Sequence, residues 1–306
     1  MPRMRFAISI PQFYDDGEFD PSTFRNYCAA VEQLGFDSAW TQENVLSSSP
    51  QLSPLEAMTY AAACTERMRL GCVVFVSTLH LPAQLAKSLA SLDQMSGGRI
   101  DVGVGTGGKH RPFAAFGMTQ ERYVARFTEG VQIMKALWTQ PRVTFDGEFY
   151  KLTEAAMEPK PAQKPHPPLW FGANGEPALR RAVRLGDGFF GAGSTPTQRF
   201  AEQVPIVRAA MAEYGRDEFP IAKRVYIAVD DNAGRARTRM NDAMERIYGR
   251  RVPDIEAAVV VGTPADCVAE VAKVAAAGAE LILFTTMFDQ DEQAVRLAAE
   301  VIPQLQ

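Results

Sequence analysis

The residues able to do chemistry fall in small groups beside turn signals. Glu43-Asn44 follows Ser38–Gln42, which reads as a strand. Glu43 can orient a ligand or act as a general base, or it can be a structural carboxylate bonded to backbone amides. His80 stands just before Leu81-Pro82, where it can cap a helix or reach a ligand. Thr106 and Gly107 lie in GVGTGG, residues 103–108, a loop whose glycines let the backbone approach a ligand closely. A GxGxGG loop alone is weak evidence for dinucleotide binding. Asn174-Gly175 and Ser194-Thr195-Pro196 each precede a helical pattern, and small residues there expose helix N-terminal amides, a common way to hold phosphate. Against this, Glu176 brings negative charge to the first of these helices, and Thr195 fits an ordinary N-cap. Lys109, His110 and Arg111 form a charged loop, either solvated or a grip on an anion. The set as a whole is mostly neutral and hydroxylic, suited to hydrogen-bonding a polar heterocycle and its phosphate.

The same residues exclude other chemistries. A Schiff-base barrel needs a lysine near the C-terminal end of a strand, whereas the one strand-associated lysine, Lys223, stands at the start of one. The three histidines offer no HxH and no convergent acidic partners, so no metal is expected. His166 lies in a proline-rich connector and reads as structural. A net charge of −4 without a Lys/Arg cluster argues against nucleic acid. Four scattered cysteines without CxxC spacing predict reduced, mostly buried thiols in a cytoplasmic protein. No run approaches about 18 apolar residues, and the opening MPRMRFAISIPQ is too short an apolar run for a signal peptide, so no membrane partner is expected.

These residues must be positioned by a repeated alternation. Strands are predicted over 6–10, 38–42, 69–77, 100–104, 169–172, 188–192, 225–229 and 281–285, each followed by an amphipathic helical stretch. The third is apolar on both faces, as a strand buried in a parallel sheet should be. Val143–Leu152 carries an Asp-Gly hairpin signal. KPAQKPHPP, residues 160–168, is a stiff connector beneath the sheet. Val259–Gly262 is short and ambiguous. Eight-fold alternation in 306 residues predicts an α/β fold, a (β/α)8 TIM barrel forming a single domain over 1–306. The surplus chain forms insertions after strands 4 and 7. Function in such a barrel sits at the C-terminal strand ends, where the groups above fall. The walls of the site would come from 47–52, 109–116 and the segment after strand seven. Phe113, Phe116 and Phe288 either line it or pack beneath it.

The runs ERMRLGCVVFVSTLHLP and LAKSLASLDQMSGGRIDVGVGTGG resemble the bacterial luciferase-like monooxygenase family of flavin and deazaflavin enzymes. So do LGFDSAWTQEN, PPLWFGANGEPALRRAVRLGDGFF and the closing VGTPADC with AGAELILF. The resemblance spans the chain in order. It implies that the C-terminal face holds coenzyme F420 or FMN, with a non-prolyl cis peptide at Val73-Val74 behind the ring. It places the phosphate near Ala173, Asn174, Gly175 and Ala178, with Thr106 and Gly107 along the ring or its tail. Ser194 and Thr195 complete the expected cofactor contacts. It also implies a homodimer. Many relatives carry a Glu-His pair at the end of strand two, where this chain has Glu43-Asn44. Asparagine cannot take up a proton near neutral pH, so the catalytic candidates become Glu43, Asn44 and His80. The light-emitting relatives' reactive cysteine is replaced by Gly105, which argues against light emission. The implied activity is hydride transfer or monooxygenation on a small organic substrate, and the incomplete pair favours the deazaflavin version. The alternative is a cofactor-binding accessory protein without turnover.

Overall fold

The structure, a computed structural model, describes residues 3–14, 18–46, 49–108, 112–248 and 253–306. In chain order its strands are β1 (Arg5–Ser9), β2 (Ser38–Thr41), β3 (Arg69–Val76), β4 (Ile100–Gly105), β5 (Val143–Asp146), β6 (Lys151–Ala155), β7 (Leu169–Gly172), β8 (Gly188–Gly191), β9 (Ile221–Val229), β10 (Val260–Gly262) and β11 (Leu281–Thr285). Its helices are α1 (Pro21–Gln33), α2 (Pro54–Ala63), α3 (Pro82–Met95), α4 (Tyr123–Thr139), α5 (Glu176–Leu185), α6 (Thr197–Glu213), α7 (Ala233–Tyr248), α8 (Pro253–Glu256), α9 (Pro264–Ala276) and α10 (Gln290–Arg296). Parallel pairing runs β1-β2-β3-β4-β7-β8-β9-β11 and returns to β1, so the eight-stranded barrel closes as expected.

The residues explain the closure. Along β9, Ala222 joins Ala7, Trp40, Trp170, Phe190, Leu281 and Leu283 in an apolar cluster filling the barrel, with Val73 packed on it. The Trp40 and Phe190 rings meet edge to face at 4.9 Å, a favoured aromatic geometry. A side chain at Gly71 would collide with the Trp40 indole, so the neighbouring strand must be bare there. The N-terminal end of the barrel is plugged by polar groups. Asp101 pairs with Arg69 at 2.7 Å and accepts from Trp170 Nε1. The connector crosses below, where Gln163 donates to Asp93 and to Ile100 O. His166 lies there with its ring against Trp138, in the structural position expected of it. The plug leaves one open end, the C-terminal mouth.

Several boundaries differ from the sequence pattern for identifiable reasons. β9 begins at Ile221, right after Pro220, four residues earlier than the predicted 225. Val260–Gly262 pairs with Ile227–Val229, so the ambiguous run is a short strand beside the end of β9 and outside the closed ring. α4 starts at Tyr123 because Arg122 has φ of 52°, which no helix continues. The hairpin β5–β6 forms, but its turn spans 147–150 and closes through Gly147 N to Tyr150 O. Glu129 accepts from the amides of Glu148 and Phe149 and braces that turn. Thr263 caps α9 in a reciprocal box with Asp266.

Lys223 is the third residue of β9 and is 1% exposed. Its Nζ donates to the carbonyls of Ala192 and Arg224 at 2.7 Å and sits 6.0 Å from the Phe200 ring. It therefore faces the helix layer, away from the mouth. Burial pulls its pKa from 10.5 down to about 7. Between those values the unfolded chain holds more protons than the folded one, so this group makes stability rise with pH across that window. The limiting slope is about 1.4 kcal/mol per pH unit. Urea unfolding of the wild type and Lys223→Met from pH 7 to 10 is expected to show a shallower rise in the variant. Parallel pH profiles would show that the lysine is not desolvated in the folded state.

Candidate active site

The mouth is organised by the buried carboxylate of Glu43, which is 8% exposed. β2 stops pairing with β3 at Thr41–Cys72, and the β3–β4 register shifts between Cys72 and Phe75. A buried amide there needs a new acceptor. Val76 N donates to Glu43 Oε2 at 2.5 Å, so a side chain continues the ladder. The second oxygen, Oε1, lies 2.8 Å from His80 Nε2. Glu43 is thus the carboxylate bonded to a backbone amide, and its other oxygen faces the candidate His80. His80 caps no helix, since the N-cap of α3 is Leu81 with no side-chain cap bond. Because Glu43 accepts at Nε2, the neutral imidazole carries its proton there and leaves Nδ1 as an acceptor. Asn44 follows on the same strand end, half-buried.

The cofactor candidates occupy one contiguous arc, the ends of β3, β4, β7 and β8. The Val73–Val74 peptide is cis, where the family resemblance places it. The Val74 side chain fills the space between two bare strand ends. A Cβ at Gly105 would sit 2.7 Å from Val74 Cγ2, and one at Gly172 would sit 2.9 Å from Cγ1. Thr106 O accepts from Thr78 Oγ1, and Gly107 follows with φ of 72°. Beyond β7, Ala173 and Asn174 lead to Gly175, whose φ of 108° opens α5 with free space where a side chain would be. Ala178 N turns back to Gly175 O. Glu176 is turned towards Arg180, at 3.8 Å, with its side chain largely in solvent, so its charge points away from the loop. Asn174 Oδ1 accepts from Gln203 Nε2, and Gln203 Oε1 is buried with no partner among the described residues. Ser194 and Thr195 follow β8, but the N-cap of α6 is Pro196, so Thr195 is buried without the expected capping role. Bare strand ends, open space at Gly175 and an under-satisfied carboxamide fit a flat heterocycle with an anionic tail.

The opposite arc, the ends of β9, β11, β1 and β2, forms a narrow pocket of about 20 Å3. Ser9, Gln12, Trp40, Arg224, Thr285 and Met287 are among its walls. Arg224, with Gln42 and Thr285, is absent from the sequence-derived set. The alternation Ala222-Arg224-Tyr226 on the barrel-facing side is the signal that could have found it. Phe113 and Phe116 pack with Val76 and Leu79, and Phe288 packs against the Arg239 guanidinium, so Phe13 and Trp40 supply the aromatic wall of this pocket. Asp230, at the end of β9, pairs with Arg235 at 2.6 Å, which holds its pKa down at about 2. Lys109, His110, Arg111, Ser47 and Ser48 lie outside the described residues. Among the described residues no group of three or more metal-binding side chains converges.

Known proteins resemble this chain in sequence and in fold. The family model described as luciferase-like monooxygenase matches residues 4–281. An F420-dependent glucose-6-phosphate dehydrogenase from Kineococcus radiotolerans is 32% identical over 221 residues, covering 69% of this chain and 64% of that protein. An FMNH2-dependent dimethylsulfone monooxygenase from Pseudomonas putida is 28% identical over 244 residues, covering 78% and 66%. The matches thus span slightly less than two thirds of each relative's length. The crystal structure of a monooxygenase from Streptomyces bottropensis superposes with a TM-score of 0.87 at 23% identity, covering 99% of this chain and 100% of that one, a likeness of fold.

Gly105→Ala tests the seat of Val74. The added methyl must displace Val74, and overpacking of this kind costs about 1–3 kcal/mol. The urea midpoint is expected to fall accordingly; an unchanged midpoint would show that the seat is loose.

Proposed function

Because the chain belongs to the luciferase-like monooxygenase family, we propose that it is a flavin- or deazaflavin-dependent oxidoreductase acting on a small organic substrate. Relatives named for F420 and for FMNH2 support either cofactor. The observation that carries a catalytic rather than an accessory role is the Glu43–His80 contact at 2.8 Å. Position 44 holds asparagine, yet a Glu-His pair stands at the end of β2, its histidine drawn from the loop after β3.

In this reading Val73, Val74, Thr106 and Gly107 flank the ring, and Ala173, Asn174, Gly175 and Ala178 hold the phosphate, with Ser194 and Thr195 beside them. When bound, such a cofactor supplies hydride exchange or, as a reduced flavin, oxygen activation. The protein's own part is positional and protolytic. Glu43 fixes the His80 ring, and His80 Nδ1 accepts a proton from, or through water returns one to, the reacting substrate group. Val76 N keeps the Glu43 carboxylate in place, so the ring cannot swing without breaking a buried hydrogen bond. Asn44 hydrogen-bonds ring or substrate.

The proposal extends to a homodimer of single barrel domains over 1–306 in the cytoplasm. All four cysteines are free, and no helix among the described residues is long and apolar enough to cross a membrane. Exposed Val45, Leu46 and Leu81 beside β2 and β3 offer a surface for self-association. Sedimentation equilibrium is expected to give twice the chain mass.

Parallel titrations with FMN and F420, followed by absorbance, are expected to show saturable binding of one of them. Binding of neither would defeat the proposal, and binding without hydride exchange or oxygen insertion across a substrate panel would favour the accessory role. His80→Gln is expected to lower turnover by about 10²–10⁴-fold with cofactor affinity nearly unchanged. Full turnover in that variant would remove His80 from the chemistry.

A further inference from the structure

Arg224 is the feature of the mouth that the cofactor reading leaves unused. It follows Ala222 on the barrel-facing side of β9, one step closer to the opening. Its Nε donates to Thr285 Oγ1 at 2.9 Å, and its guanidinium lies 4.8 Å from the Tyr226 ring centre. Both contacts aim the group, and neither neutralises it. Among the described residues no carboxylate pairs with Arg224.

Several of the surrounding polar groups are already engaged. Gln12 Nε2 donates to the carbonyls of Gln42 and Leu52, and its Oε1 accepts from Gln42 N. Ser9 Oγ accepts from Thr286 N. The terminal guanidinium nitrogens are the charged donors left in a pocket walled by Trp40, Phe13, Leu283 and Met287 and by polar groups, of which the buried Thr286 Oγ1 also lacks a partner among the described residues. Arginine stays protonated in proteins, and a cation against apolar walls is stabilised by an anion that can fork onto its two nitrogens. The pocket's volume of about 20 Å3 is little more than one water requires, so only the end of a ligand enters. Phe13 and Met287 also wall an adjoining cavity of about 290 Å3 lined further by Tyr14, Pro50, Ala243 and Ile247, with Ser49 and Arg246 as its polar members.

We propose that the substrate is an amphipathic carboxylic acid, with its carboxylate on Arg224 and its apolar body passing Phe13 and Met287 into the larger cavity. This rests on the oxidoreductase reading for the word substrate. The anion site itself stands on geometry alone. It occupies the β9, β11, β1 and β2 side of the mouth, opposite the arc assigned to the cofactor, with Glu43 and His80 at the border between them.

The test uses the full chain with n-hexanoate and hexanamide as probes, followed by thermal shift and by competition with turnover once a cofactor is bound. The wild type is expected to bind hexanoate saturably and at least ten-fold more tightly than the amide. Arg224→Met is expected to lose that preference and at least ten-fold in hexanoate affinity, with FMN or F420 titrating as in the wild type. Thr285→Val, which removes only the hydroxyl that aims the guanidinium, is expected to lose several-fold. Equal binding of acid and amide by the wild type would overturn the proposal. So would a Met variant that loses cofactor affinity instead, which would assign Arg224 to the cofactor. If neither cofactor binds the wild type while the hexanoate preference holds and depends on Arg224, the oxidoreductase reading falls and the anion site remains.

Discussion

The carboxylate of Glu43 is shared between a backbone amide and an imidazole, and the mouth of the barrel depends on that sharing. β3 outruns its partner β2 and slips register against β4 around the Val73–Val74 peptide. Without a side-chain acceptor, Val76 N would be a buried orphan, at a cost of about 1–3 kcal/mol. Glu43 satisfies it, and the same bond fixes the second oxygen towards His80. The irregularity in the strand and the placement of a proton acceptor are thus one feature. Loss of the carboxylate would free both the end of β3 and the histidine ring.

Around this centre the barrel divides its mouth by chemistry. On one side are bare glycines and hydroxyls, which suit a flat polar group and its tail. On the other is a single aimed cation among apolar walls and mostly neutral polar groups. The opposite end is stoppered by the Arg69–Asp101 pair and the connector through Gln163. A ligand therefore has one way in, and two dissimilar ligands would meet where Glu43 and His80 lie. The separation follows from strand order alone, since each arc is a run of neighbours in the ring.

Much of the fold was legible in the residues. Pro21, Pro54, Pro82, Pro177 and Pro264 stand in the first turns of their helices, and apolar runs of four to nine residues mark the strands. The start of β9 was less visible because Lys223 and Arg224 interrupt its apolar run, although both are buried or half-buried by solvating contacts that sequence does not display. Misplacing that start also hid Arg224. Glu43 and His80 were each legible as candidates, but not as a pair. They are 37 residues apart, and their contact depends on a register shift that no local pattern encodes. Asn44 drew attention as a departure from a family motif, while the structure supplies the histidine from the next loop.

The protonation state of the His80 ring tests this arrangement most directly. Long-range ¹H–¹⁵N correlation spectra of the three histidines, with His80→Gln for assignment, report which ring nitrogen carries the proton at a pH where the ring is neutral. The expected result is the Nε2–H tautomer, lost in Glu43→Gln, with Nδ1 unprotonated and available. A ring found as the Nδ1–H tautomer in the wild type would contradict the pairing and the proton-accepting role that rests on it.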